Sequence, residues 1–274
     1  MNLAGYSDAL ARLVREAAPG VVTVSGARTV SGSVVAPGQV VTVAHVLPDD
    51  EPGVALGGER WTAQVLGRDP LSDLALLAVP GLNGPALAPA PGRLGELVLA
   101  VARPAPDRLQ VSAGVLSDLG DPARAAPWWG SDARPFPGCS GGLALNAGGG
   151  WLGLLSAGVQ REQLSLRPAA QVLEVVRQLA ASGRVPRGFL GVQTQPVRLP
   201  GERRWALAVT ATETGSPADG LLRPGDLLVA LEGQPLGSVS ALLESVRGRP
   251  GEPLHFTVLR GGREQGLTLV PQAR

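Results

Sequence analysis

The sequence predicts a mostly-β protein of two domains, a larger barrel or sandwich followed by a small β-rich unit. Three observations carry this. The 274 residues suffice for two domains, each large enough to bury a core. The 38 glycines and 25 prolines are scattered between short Val- and Leu-rich runs, as turns between strands are, and not gathered in a low-complexity tail. The pattern then halts at Gly-Arg-Val-Pro-Arg-Gly, residues 183–188, and restarts. The expected domains are therefore 1–184 and 185–274.

The first element is a helix over 8–17, where Leu10, Leu13, Val14 and Ala17 recur at helical spacing. Ser7 or Asp8 can cap it, and Pro19-Gly20 stops it. Nine strand-like runs follow, at 21–27, 32–37, 39–47, 61–67, 74–80, 96–102, 109–117, 141–146 and 151–159. A second helix is expected over 167–182, with Val172, Val175, Val176 and Leu179 on its apolar face and Gly183 at its end. Beyond the boundary, strands are expected at 188–195, 205–211, 226–233 and 254–261, with a helix over 238–247.

Composition narrows the function. Apolar residues make up 44% and charged residues 17%, a globular balance. A formal charge of +1 offers no basic footprint for nucleic acid or an anionic membrane. A single cysteine precludes an intrachain disulfide, and the two histidines, His45 and His255, lie too far apart in sequence to suggest a structural zinc site. No metal or cofactor is expected. No run of about 20 apolar residues suggests a membrane span. The N-terminus also lacks a basic region followed by an apolar core, so no signal peptide is expected.

The chemistry concentrates in Pro135-Phe136-Pro137-Gly138-Cys139-Ser140-Gly141-Gly142. A serine nucleophile needs a base, a group that orients the base, and donors for the oxyanion. Glycines permit a sharp turn, and the amides of Gly138 and Ser140 can converge on one small hole, with Cys139 between them contributing backbone. His45 stands at the end of an apolar strand and can serve as base. Asp73, behind Ser72 and ahead of Leu-Ala-Leu-Leu, can orient it. Each has a plainer reading: a strand-end histidine, a strand-entry cap, a hairpin turn. The order His, Asp, Ser, each at a strand edge, favours the triad.

Three segments carry a family resemblance. Thr42-Val43-Ala44-His45-Val46, Ser72-Asp73-Leu74-Ala75-Leu76-Leu77 and Asp132-Ala133 with Pro137-Gly138-Cys139-Ser140-Gly141-Gly142 resemble the catalytic segments of the HtrA/Deg family of trypsin-like serine proteases. The resemblance implies a chymotrypsin-like fold of two six-stranded β-barrels with the triad His45, Asp73 and Ser140 between them. It also implies that Ser156, Ala157 and Gly158 form the substrate-pairing edge. The chain departs from the family at Cys139, where Asn is usual, at Leu143, where Pro is usual, and at Trp128-Trp129. Cys139 itself reads as a small buried residue and not as the nucleophile.

In the second domain, residues 215–236 and Arg187-Gly188-Phe189-Leu190-Gly191-Val192 resemble a PDZ domain and its carboxylate-binding loop. Consecutive amides in such a loop can cradle a terminal carboxylate while the adjacent strand accepts a peptide by β-augmentation. Leu242, Leu243 and Val246 are candidates for the opposite wall, with one or two of them turned to the core. The plainer reading makes Phe189, Leu190 and Val192 simple strand core.

The expected function is serine endopeptidase action on unfolded or exposed polypeptide, in protein quality control, with the PDZ domain binding peptide C-termini or regulating the active site. The rival is a non-catalytic peptide-binding or chaperone-like protein with an unassembled site. The resemblance further implies a homotrimer, for which Tyr6 is the one aromatic in the N-terminal region, and work outside the cytoplasm, in the cell envelope or periplasm. The lack of a visible signal peptide pulls the other way, toward the cytoplasm.

Overall fold

A computed structural model describes residues 3–85, 87–120, 128–157, 163–199 and 204–274. The chain divides into two compact units, Met1–Val185 and Pro186–Arg274. The division falls one peptide bond beyond the one expected from sequence.

The first unit opens with α1 (Leu3–Ala17), which starts ahead of the expected residue 8. Leu13 and Ala17 are buried, with Leu10 and Val14 packed beside them, so the spacing did report the buried face. A single 3₁₀ turn, Ala18–Gly20, leads into the first sheet.

That sheet contains β1 (Val21–Ser25), β2 (Thr29–Ala36), β3 (Gln39–Val43), β4 (Gly53–Leu56), β5 (Glu59–Thr62), β6 (Gln64–Asp69) and β7 (Leu74–Ala78). Its order is β5-β4-β1-β2-β3-β7-β6, seven strands where six were expected. The expected run 61–67 breaks at Ala63, whose N–H turns to Pro52 O at 2.9 Å. Strand β4 has only a short apolar core, Val54-Ala55, and left little pattern to read.

The second sheet is a closed six-stranded barrel, ordered β10-β13-β12-β11-β8-β9. Its strands are β8 (Leu97–Ala105), β9 (Arg108–Asp118), β10 (Trp129–Ser131), β11 (Leu143–Leu145), β12 (Trp151–Ser156) and β13 (Leu164–Pro168). Helix α2 (Ala169–Ser182) begins two positions later than expected, because Arg167 and Pro168 close β13. Val172, Val176 and Leu179 are buried. Gly183 ends the helix at φ +71°, donating to Leu179 O at 2.8 Å.

Arg103 ties the two sheets together. It sits on β8, 9% exposed, and donates Nε to Val21 O at 2.7 Å and Nη2 to Ala18 O at 3.1 Å. Burial pulls its guanidinium below the usual value, but an arginine stays charged, so it needs these carbonyls.

The second unit holds β14 (Gly188–Phe189), β15 (Val192–Arg198), β16 (Trp205–Thr212), β17 (Leu227–Leu231), β18 (Gln234–Pro235), α3 (Val239–Arg247), β19 (Leu254–Arg260), β20 (Arg263–Leu269) and β21 (Gln272–Ala273). The main sheet runs β15-β16-β17-β19-β20, with β18 on β17, while β14 pairs β21. Leu190, Leu207, Leu228, Leu242, Val246 and Phe256 fill the core. Strand β20 is mostly exposed and polar, which hid it from a search for apolar runs. Ser238 caps α3 by accepting Ala241 N–H at 3.2 Å.

Candidate active site

His45 lies in the 3₁₀ turn Ala44–Val46 that follows β3. Strand β3 pairs with β7 in register Val43↔Leu74 and Thr42↔Ala75. The turn before β7 is thereby brought beside His45. Asp73 occupies that turn at φ +56°, a left-handed conformation uncommon for a residue with a side chain, though less costly for Asp than for most.

The Asp73 carboxylate grips His45 twice. Oδ1 accepts the His45 backbone N–H at 3.0 Å, and Oδ2 lies 2.8 Å from Nδ1. Ala44 N–H also donates to Asp73 O at 3.1 Å. A carboxylate only accepts, so Nδ1 carries the proton and Nε2 is left as the basic nitrogen. The His45 side chain is 52% exposed and that of Asp73 27%, so the pair lies at the surface and not in the core.

The Asp73 turn is supported from behind. Ser72 donates N–H and Oγ–H to Asp69 Oδ2, at 3.2 and 2.5 Å. Arg167, on β13, donates Nη2 to Ser72 O at 3.4 Å, and its guanidinium lies 3.7 Å from the centre of a Trp128 ring. All three polar residues, Asp69, Ser72 and Arg167, are buried.

The nucleophile turn depends on two left-handed glycines, Gly138 at φ +81° and Gly141 at φ +83°. A Cβ on Gly141 would stand 2.0 Å from Ser31 O. Cys139 N–H donates to Phe136 O at 3.1 Å, Gly141 N–H to Leu155 O at 2.8 Å and Gly142 N–H to Cys139 O at 3.0 Å. The carbonyls turn the other way, onto β2. Gly138 O accepts Ser31 Oγ–H at 2.8 Å, Ser140 O accepts Ser31 N–H at 3.0 Å, and Gly141 O accepts Ser33 Oγ–H at 2.8 Å.

The amides of Gly138 and Ser140 find no acceptor among the described residues. They are the two donors the turn leaves open. Cys139, grouped with them from sequence, is corrected here: its own N–H is spent on Phe136 O. Its side chain is fully buried, and that burial pushes the thiol above its usual pKa, which leaves it a poor nucleophile.

Ser140 Oγ accepts Ala157 N–H at 3.0 Å. Ser140, His45, Gly138, Phe136, Ala157 and Arg28 line one open cleft of about 470 Å³. The serine hydroxyl and the imidazole thus share the cleft, with Ser140 Oγ bonded to the Ala157 amide. Ser156 is buried at the end of β12, Ala157 is next to it, and Gly158 lies outside the described residues. Among the described residues, no three His, Cys, Asp or Glu side chains cluster in a way that could hold a metal ion.

In the second unit, Arg187 N–H and O pair with Arg274 O and N–H, both at 2.9 Å. Gly188 and Phe189 form β14, and Leu190 is buried in the core. Gly191 takes φ +72°, where a Cβ would meet Ser216 Cβ at 2.2 Å. The amides of Leu190 and Gly191 have no acceptor among the described residues, and Val192 starts the edge strand β15. On α3, Leu242 and Val246 face the core, while Leu243 is 38% exposed.

Reading the sequence missed Ser31 and Ser33, which hold the nucleophile turn from β2. The available signal was Ser-Gly-Ser inside a strand otherwise made largely of valine and alanine. Buried hydroxyls in such a strand need partners, and here the partners are the turn's carbonyls. Arg167 was missed too, because a lone arginine at a strand end carries no pattern.

Comparison with known proteins matches both units. Residues 30–154 match the family described as "Trypsin-like peptidase domain", and residues 209–260 the family described as "PDZ domain". The chain is 32% identical over 252 residues to a "Probable periplasmic serine endoprotease DegP-like" of Ectopseudomonas mendocina, covering 84% of this chain and 53% of the relative. A protein of the same description from Chlamydia muridarum is 32% identical over 248 residues, covering 82% and 50%. The chain therefore spans about half the length of the curated relatives it matches. Among solved structures, "HtrA-type protease AlgW with decapeptide" superposes with TM-score 0.80 at 26% identity, covering 97% of this chain and 98% of that one. The serine endoprotease from Yersinia pestis does so with TM-score 0.79 at 26% identity, again covering 97% and 98%.

Proposed function

The chain belongs to the HtrA/Deg-like proteases, a trypsin-like protease domain followed by a C-terminal PDZ domain, and on that premise we propose that it is a serine endopeptidase acting on unfolded or exposed polypeptide. The observation that carries the proposal is the coincidence, in one cleft, of an Asp73-bound His45, the Ser140 hydroxyl and the unengaged Gly138 and Ser140 amides.

In the proposed reaction, Ala157 N–H occupies one lone pair of Ser140 Oγ and leaves its proton to turn toward His45 Nε2. Substrate binding closes that pair, as catalytic hydrogen bonds often tighten only in the complex. His45 takes the proton as Oγ attacks the scissile carbonyl, and the resulting oxyanion is held by the Gly138 and Ser140 amides. His45 then protonates the leaving amine. Water, activated by the same imidazole, releases the acyl group. Asp73 keeps the imidazole in one tautomer and stabilises its protonated form. The substrate backbone runs along Ser156, Ala157 and Gly158.

The second unit is proposed to bind peptide C-termini. The Arg187–Val192 loop offers its free Leu190 and Gly191 amides to a carboxylate, and the edge of β15 takes the peptide as an added strand. Solved relatives described as holding a decapeptide or a tripeptide favour peptide recognition here. Assembly as a homotrimer is also proposed, with the 38% exposed Tyr6 of α1 as a contact; light scattering of Tyr6→Ala against wild type tests it.

A fluorophosphonate probe tests the catalytic reading. Stoichiometric labelling of Ser140, lost in Ser140→Ala together with cleavage of denatured casein, is expected. Well-folded protein that stays unlabelled from about pH 6 to 9 supports the rival binding module instead.

A further inference from the structure

We propose that Ser31 and Ser33 are positioning residues that hold the oxyanion hole assembled from the first sheet. This rests on the catalytic reading above. The nucleophile turn contains Gly138, Gly141 and Gly142, and glycines place almost no steric barrier on peptide rotation. Local sterics therefore cannot fix where the Gly138 and Ser140 amides point. The turn's own bonds, Cys139 N–H to Phe136 O and Gly142 N–H to Cys139 O, leave the Gly138, Ser140 and Gly141 carbonyls in need of a further anchor.

Strand β2 supplies it. Its alternation sends Ser31 and Ser33 to one face and Gly32 to the other, where a Cβ would meet Val40 and Val24 side chains at 2.6 and 2.8 Å. Both serines are fully buried. Their hydroxyls donate to Gly138 O and Gly141 O, each at 2.8 Å, and Ser31 N–H donates to Ser140 O at 3.0 Å. Three of the four carbonyls from Gly138 to Gly141 are thus bound by a single strand. The Ser31 hydroxyl is itself fixed, because its oxygen accepts Arg103 N–H at 2.8 Å, which directs its proton to Gly138 O. Thr42 Oγ1–H holds Ser31 O at 2.7 Å.

With these carbonyls bonded, rotating the Gly138–Cys139 or Gly141–Gly142 peptide strands a buried acceptor without a donor. The donor amides lie in the neighbouring peptides, Gly138 N–H sharing the Gly138 α-carbon and Ser140 N–H the Ser140 α-carbon with a peptide bound in this way, so strand β2 penalises turn geometries that would carry these amides out of the hole. They touch neither substrate nor the reacting atoms. Their effect belongs to the transition state, where the oxyanion forms, and not to ground-state peptide binding.

The test is kinetic, on the full chain. Ser31→Ala and Ser33→Ala should each lower kcat about tenfold or more with KM nearly unchanged, a smaller effect than the 10²–10³ expected for deleting an oxyanion donor outright. Binding of a peptide boronate, whose tetrahedral adduct uses the hole, should weaken in parallel, while binding of the cleaved product peptide should not. A purely structural role predicts a lower Tm with kcat of the folded protein intact, and that result overturns the proposal. Should Ser31→Ala not fold, Ser33→Ala carries the same test. A wild type that cleaves casein, with both variants cleaving equally well, sinks this inference alone. A wild type that neither cleaves nor takes a fluorophosphonate at Ser140 sinks the catalytic reading and this inference with it.

Discussion

Asp73 holds His45 at two points, accepting the backbone N–H at 3.0 Å and the ring Nδ1 at 2.8 Å. The backbone contact fixes where the side chain starts, and the ring contact fixes how it is turned. One residue in a left-handed conformation sets both, which gives that conformation at φ +56° a function to offset its strain.

Asp73→Asn is expected to fold, because Asn also tolerates φ near +56°. Its amide can present an N–H to Nδ1 and so favour the wrong tautomer. The expected loss in kcat is about 10⁴-fold, the scale seen for this change in another triad. Steady-state hydrolysis beside an unfolding curve checks it; kcat within tenfold of wild type refutes the assigned role.

Gly141→Ala and Gly57→Ala separate strain from collision. Both glycines have positive φ, +83° and +60°. A Cβ at Gly57 meets nothing within 4 Å, while one at Gly141 falls 2.0 Å from Ser31 O. Gly57→Ala should cost about 1 kcal/mol, and Gly141→Ala about 3 kcal/mol or more, with loss of activity. Urea unfolding of the two variants distinguishes them.

Cys139 should behave as packing, not chemistry. Its thiol is buried and its pKa raised, so the thiolate is scarce at neutral pH. Native protein is expected to resist iodoacetamide and to keep its activity. Cys139→Ala should remain within a few-fold of wild-type kcat and lose about 1 kcal/mol of stability. Rapid alkylation with inactivation contradicts this.

In the second unit, Asp226 is 2% exposed and accepts Arg260 Nε and Nη2, both at 2.7 Å. The side-chain hydrogen bonds from Arg260 hold its carboxyl below the usual pKa, with Arg223 N–H at 2.8 Å assisting. A folded-state pKa below the unfolded value means that the stabilisation is full above the unfolded pKa of about 3.9 and is lost as pH falls through the folded one. Asp226→Asn should therefore cost about 3 kcal/mol at neutral pH and less as the solution is acidified below about pH 4. Thermal melts of both proteins across that range provide the check; a difference that does not shrink in acid argues against the pair.

The mostly-β class was legible in the sequence alone, and the proposed break between the units and the three side chains proposed for catalysis were read from it as well. Those signals are local: apolar runs bounded by Gly and Pro, a histidine closing a strand, an Asp opening one, glycines around a serine. It could not reveal the polar strand β20, or the break at Ala63, where a tertiary bond to Pro52 O ends one strand and starts another. Nor could it show which amides stay open. Cys139 and Ser140 are neighbours in sequence, yet one N–H is consumed by Phe136 and the other is not. The bonds from Ser31 to Gly138 and from Ser33 to Gly141 span 107 and 108 positions. A serine hydroxyl is directional and reaches only about 3 Å. Whether it caps a turn, faces water or anchors a nucleophile depends on what the fold brings within that distance, and only the packing of one sheet against the other decided it.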